Sequence, residues 1–146
     1  MILNIGLISG SLVLGITDLG SGIGANIVGQ AAIGAWKKCY LSNRPAPMMP
    51  IAFAANPVTQ VFYAFILMGR LMEVAEANPE RAMIYLGFAL AATISLVVTA
   101  IIQGKIGACA VEALVETRKG FAQFIAVMGA IETIALFTMV FTVASL

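Results

Sequence analysis

Any chemistry in this chain must centre on Glu132. It lies near the middle of residues 120–146, and every other side chain in that stretch is uncharged. A charge at the centre of a bilayer costs about 2.5–3.5 kcal/mol on insertion scales and more in simulations, so such a residue needs a partner, a cation or a proton. The reading that follows is a carrier of an ion or a proton. The plainer alternative is a structural carboxyl, protonated and hydrogen-bonded between helices.

The other polar groups in apolar sequence show what Glu132 could meet. Thr59, Gln60 and Tyr63 occur together. Residues one, three and four apart share an arc of a helix, so that arc offers a hydroxyl, an amide oxygen and a phenol. Gln103 stands alone in a third apolar stretch. Pro57 cannot donate to the carbonyl of Phe53, and it loosens the turn around Asn56, freeing backbone oxygens at the same level. A carboxylate among several neutral oxygens is what a hard, weakly charged cation requires. A proton carrier would instead keep its carboxyl alone in an apolar surround that disfavours the charged form. The oxygen-rich shell favours Na+ over H+. Asp18 is a second intramembrane acid, and three roles are open to it. It could face the lumen of a ring of copies, hold a second cation, or hydrogen-bond a neighbouring helix.

Composition sets the medium. The chain has 146 residues, 61% hydrophobic and 10% charged. An ordinary soluble domain carries about 25% charged residues. The net charge of +1 excludes a nucleic-acid binder, which needs a basic excess. The absence of His excludes His-based catalysis and His-ligated metals. Cys39 and Cys109 form neither a disulfide framework nor a zinc site. The expected class is an all-α integral membrane protein.

Four stretches are long and apolar enough to span a bilayer: residues 2–36, 48–72, 81–114 and 120–146. The ends of the first and third, beyond Gly29 and Gly107, are expected to project as helix into water. Connectors at 39–48 (CYLSNRPAPM), 73–81 (EVAEANPER) and 116–120 (ETRKG) carry turn residues or charge. Short connectors between long helices predict two antiparallel hairpins, 1–74 and 81–146, in one membrane domain. Overlaying the hairpins puts Gln60 near Glu132, as a duplication would. Lys37, Lys38 and Arg44 flank the first connector, and Lys105, Arg118 and Lys119 flank the third. These two connectors are expected to be cytoplasmic, with both termini on the far side. Trp36 and Tyr40 suit an interfacial aromatic belt, and Glu112 and Glu116 a solvated helix end. The N-terminus lacks the basic start of a secretory signal and is expected to be retained.

Of the 14 glycines, eight fall in the first span: Gly6, Gly10, Gly15, Gly20, Gly22, Gly24, Gly29 and Gly34. Small residues let helix backbones approach closely in membranes. The plain reading is a tight pair within one chain. The stronger one is a helix crowded on both sides, as at the inner wall of a ring of copies. Ser21-Gly22-Ile23-Gly24 is a poor dinucleotide loop, because no parallel-strand context surrounds it.

Together these residues resemble the membrane rotor proteolipid of V-type and A-type rotary ATPases. The resemblance rests on four spans in two hairpins, the Gly-rich first helix, Pro57-Val58-Thr59-Gln60 with Tyr63, Gln103-Gly104-Lys105, and Glu132-Thr133, and it covers essentially the whole chain. It implies a Na+ site formed by the Glu132 carboxylate, the side chains of Thr59, Gln60 and Gln103, and the backbone carbonyl of Asn56. Tyr63 would hydrogen-bond the glutamate. It also implies a ring of identical copies in lipid, a stator protein whose basic residue competes for Glu132, and a central-stalk protein at the cytoplasmic loops. ATP hydrolysis elsewhere would turn the ring, and this chain would perform no bond chemistry. Consistently, it has no GxxxxGK[ST] phosphate loop. Asp18 lies outside the family pattern, and the first span lacks an internal lysine found in some members. The rival readings are the same rotor coupled to H+ with no bound metal, a four-span small multidrug exporter, and a structural or pore-forming assembly protein. The exporter family carries its essential acid in the first span.

Overall fold

The computed structural model describes residues 5–146. The expected start of the first span at Ile2, and the retention of the N-terminus, lie outside the described residues. Among those residues the regular structure is helical throughout: α1 (Ile5–Leu41), α2 (Pro50–Ala55), α3 (Thr59–Ala77), α4 (Ala82–Thr117) and α5 (Phe121–Ser145). One 3-10 turn, Asn56–Val58, joins α2 to α3, and another, Pro79–Arg81, precedes α4. Counting α2 and α3 as one interrupted span, four helices are long and apolar enough to cross a membrane. The protein is an all-α integral membrane protein.

Helix ends follow local chemistry. α1 continues past Trp36 through Lys37 and Lys38, and ends where Asn43 takes a positive φ of 51°. α3 runs through the acidic connector, whose Glu and Ala residues are good helix formers, and stops at Asn78-Pro79. The α4–α5 turn needs left-handed backbone at Arg118 (φ 59°) and at Gly120 (φ 90°), the second easy only for glycine. α1 and α4 have 37 and 36 residues. At about 1.5 Å per residue each is about 55 Å long, well beyond the roughly 30 Å hydrocarbon layer. The C-terminal ends of α1 and α4 lead into the first and third connectors. There Arg118 Nη2 donates to the Pro45 carbonyl at 2.6 Å, and Trp36 Nε1 donates to the Pro47 carbonyl at 2.7 Å. The first and third connectors therefore sit at the same end of the bundle.

α1 packs mainly on α4 and next on α3, while α5 lies outside against α4 and α3. The glycines divide accordingly. Gly10 faces Met68 and Met72, Gly20 faces Val97, and Gly24 faces Ala100, Pro57 and Gly104. Gly15, Gly22, Gly29 and Gly34 face open space. The close-pair reading thus accounts for one set, and the outer set is left for something beyond this chain. Asp18 lies on that outer face, exposed, about 9 Å along the axis from Gly24 at the helical rise. It takes no partner among the described residues. On the same face Gln30 Nε2 donates to Asn26 Oδ1 at 3.2 Å.

The core is two apolar clusters. One holds Val13, Leu67, Leu71, Tyr85, Leu96 and Ala135. The other holds Val28, Phe53, Val111, Leu114 and Met128. In both, the residues come from all four spans. On each of the last three spans the gap between clusters holds polar residues, among them Gln60, Gln103 and Glu132.

Candidate ion-binding site

The polar layer starts from a helix irregularity. Pro57 sits in the 3-10 turn, so the chain changes from α2 to α3 where a regular helix would have continued. The Asn56 carbonyl there accepts the backbone N–H of Thr59 and also its hydroxyl, at 2.7 Å. Gln60 follows at the start of α3, fully buried, and Tyr63 lies three residues on. From α4 comes Gln103, also fully buried, next to the small Gly104 that lets α1 approach. From α5 comes Glu132, half-buried toward the outside of the bundle.

Three donors converge on the carboxylate. Tyr63 Oη donates to Glu132 Oε1 at 2.6 Å. Gln103 Nε2 donates to Oε2 at 2.6 Å, and Gln60 Nε2 reaches the same oxygen at 3.3 Å. Hydrogen bonds to charged groups contribute about 1.5–3 kcal/mol each, roughly twice the neutral kind. Three such donors compensate for much of the solvation that the carboxylate loses in the membrane.

The glutamines are themselves held. Gln60 Nε2 donates to Gln103 Oε1 at 2.8 Å, and Gln103 Nε2 also reaches the Met128 carbonyl at 3.3 Å. Thr59 Oγ1 lies 3.4 Å from Gln60 Oε1. The Asn56 carbonyl, Thr59 hydroxyl and Gln60 carbonyl thus stand side by side as neutral oxygens, linked to the carboxylate through the Gln60 amide nitrogen. Such a donor set suits a monovalent hard cation, since one carboxylate cancels one charge. Among the described residues no group of three His, Cys, Asp or Glu side chains gathers as a multivalent metal site would need.

The structure brings Asn56, Thr59, Gln60, Tyr63, Gln103 and Glu132 together from three spans, and leaves Asp18 outside on the far face of α1. Thr59 shares an arc with Gln60 and Tyr63 but turns its hydroxyl back to Asn56, because the local acceptor is nearest. The sequence reading missed two groups. The Met128 carbonyl anchors Gln103, and no side chain signals a backbone acceptor. Ser95 and Thr138 join α4 to α5 through a 2.8 Å hydroxyl pair, and nothing sets their lone hydroxyls apart in apolar sequence. Glu112 and Glu116 line a cavity of about 290 Å³ with Lys38 and Arg44, at the connector end of α1 and α4.

A search among curated proteins found no match. Residues 86–144 match the family of the ATP synthase C subunit, a stretch that takes in most of α4, nearly all of α5, and both Gln103 and Glu132. With four membrane-length helices around a mid-span glutamate, that match supports a rotor proteolipid of a rotary ATPase, a transport component and not itself the catalyst.

Proposed function

We propose that this chain is the rotor proteolipid of a V-type or A-type ATPase and carries Na+ at Glu132. Asn56 (through its carbonyl), Thr59, Gln60 and Gln103 supply the neutral oxygens, and Tyr63 holds the carboxylate in place. The reading rests on one observation: the only charged group of the fourth span lies among five uncharged oxygen- or amide-bearing residues drawn from two other spans. A bare carboxylate could not cross the lipid-facing arc of a rotor ring without a large desolvation cost. A bound cation cancels its charge, and the site can cross. At the stator a basic side chain competes for the carboxylate and the ion leaves. In this reading the two hairpins form a single membrane domain, and copies of it form the ring. The basic first and third connectors face the cytoplasm and the central stalk, and both termini lie on the far side.

The test is reaction of Glu132 with a carboxyl-modifying carbodiimide in the purified protein. Millimolar Na+ is expected to slow the labelling in a saturable way at constant pH. Labelling that follows pH and ignores Na+ would mean the same rotor coupled to H+.

Gln103→Leu is expected to weaken Na+ protection about fivefold with assembly intact. The lost oxygen is comparable in size to one net hydrogen bond, about 1 kcal/mol. Unchanged protection in the variant would remove Gln103 from the ligand set.

A further inference from the structure

The amides around Glu132 are arranged with a direction. Gln103 turns its nitrogen to Glu132 Oε2 at 2.6 Å and its oxygen to Gln60 Nε2 at 2.8 Å. Gln60 turns its nitrogen into the site and its oxygen toward Thr59, 3.4 Å away. Each amide nitrogen is therefore aimed along the path from Thr59 through Gln60 and Gln103 to the carboxylate. A primary amide carries two donors on nitrogen and two lone pairs on oxygen, so it serves an anion with one end and a cation with the other.

We infer that the amides of Gln60 and Gln103 form a two-position switch, donating to the Glu132 carboxylate in one position and presenting an oxygen to its cation in the other. This inference rests on the Na+ reading above. Gln103 cannot be a cation ligand beside Glu132 as it stands, because its N–H occupies that side. A half-turn about its terminal torsion brings the oxygen in. That torsion is broad and two-fold, so either position is a permitted rotamer. The turn has a second consequence. With Gln103 reversed, its nitrogen faces the nitrogen of Gln60, and two donors cannot satisfy each other. Gln60 must turn as well, bringing its own oxygen to the inner side and its nitrogen to Thr59 Oγ1. The Thr59 hydroxyl still has the Asn56 carbonyl as acceptor, at 2.7 Å. Each amide nitrogen keeps one acceptor in both positions, although the turned Gln103 gives up the Met128 carbonyl that it reaches at 3.3 Å.

The switch explains how a carboxylate stays tolerable in the interval between losing one ion and gaining the next. The two amides replace the cation with hydrogen-bond donors, and Tyr63, already on Oε1, need not move. It also explains why the neutral residues here are glutamines. A threonine or serine hydroxyl carries only one donor hydrogen, and a carboxylate has none to offer.

The test is magic-angle-spinning NMR on the full chain in lipid bilayers. The protein is made cell-free with 15N on glutamine side-chain amides and 13C on glutamate carboxyls. Without Na+, the Glu132 carboxyl carbon is expected to show a strong dipolar coupling to glutamine side-chain nitrogen. Saturating Na+ should cut it by about twofold or more, because the coupling falls with the cube of distance and the amide nitrogen moves out of hydrogen-bond range. Glu132→Gln, which removes the labelled carboxyl, assigns the signal. Binding of 22Na+ is measured on the same sample. If 22Na+ binds and the coupling does not change, the amides do not turn and this inference is wrong while the sodium reading stands. If no 22Na+ binds, both fail.

Discussion

Glu132→Gln is expected to abolish Na+ binding and transport while the protein folds and assembles as before. The substitution changes the charge and almost nothing in volume. A glutamine at 132 keeps one acceptor oxygen, so it can still accept from either Tyr63 or the Gln103 amide, which stand 2.6 Å from the two carboxylate oxygens. The helix contacts of α5 on α4 and α3 need no change. What disappears is the one negative charge in the polar layer. Neutral oxygens alone must then take a cation out of water into a low-dielectric site, and the desolvation of an unpaired ion amounts to several kcal/mol. A loss in affinity of about a hundredfold or more follows. Equilibrium 22Na+ binding measures the first half of the expectation, and sizing of the detergent-solubilised assembly the second. Retained binding would place the ion elsewhere. Loss of assembly with loss of charge would make Glu132 a structural acid and not a carrier.

The parts of this site that could be read from the sequence are those carried by local rules. Glu132 is conspicuous because a charge in an apolar run has no other explanation. Gln60 and Tyr63 share an arc because helical spacing puts them there, and Pro57 marks the broken turn because it lacks an N–H. What could not be read is register between helices. That Gln103 reaches both Gln60 and Glu132 depends on how far α4 slides along α3 and α5. Side-chain volumes along three contacts set that slide, and no single residue shows it. The glycines of α1 illustrate the same limit. Their four- and five-residue spacings predict close approach, but only packing separates Gly20 and Gly24, which face α4, from Gly15 and Gly22, which face outward. Asp18 goes with the outer set for the same reason, so its charge was legible and its side of the helix was not. In the second span Asn56, Thr59 and Gln60 are compatible with a continuous helix, and only Pro57 hinted that α2 and α3 would part.

Gly104→Ala is the substitution expected to do most damage by adding least. A methyl group on Gly104 would lie 2.5 Å from the Cα of Gly24 on α1, inside any real carbon contact. The obstacle is backbone, with no flexible side-chain end to swing away. The reciprocal site is no looser: a methyl on Gly24 would run into the Ala100 carbonyl and Pro57. α1 and α4 must therefore separate, and they form the largest helix–helix contact of the fold. Overpacking of this kind costs about 1–3 kcal/mol, and more where backbone must move. The cost should also reach the ion site, because Gln103 is the neighbouring residue and is held by hydrogen bonds to Gln60, Glu132 and the Met128 carbonyl. A shift of about 1 Å at such a position is enough to cost roughly tenfold or more. Gly87→Ala on the same helix is the control, since nothing lies within 4 Å of a methyl there. It is expected to be neutral, or to gain up to about 1 kcal/mol from alanine's better helix propensity. Thermal unfolding in detergent compares the two variants, and 22Na+ binding shows whether the loss of packing carries through to Glu132. Equal melting temperatures for Gly104→Ala and Gly87→Ala would show that α1 and α4 do not meet backbone to backbone. The glycine contact could then no longer be what sets the register of Gln103.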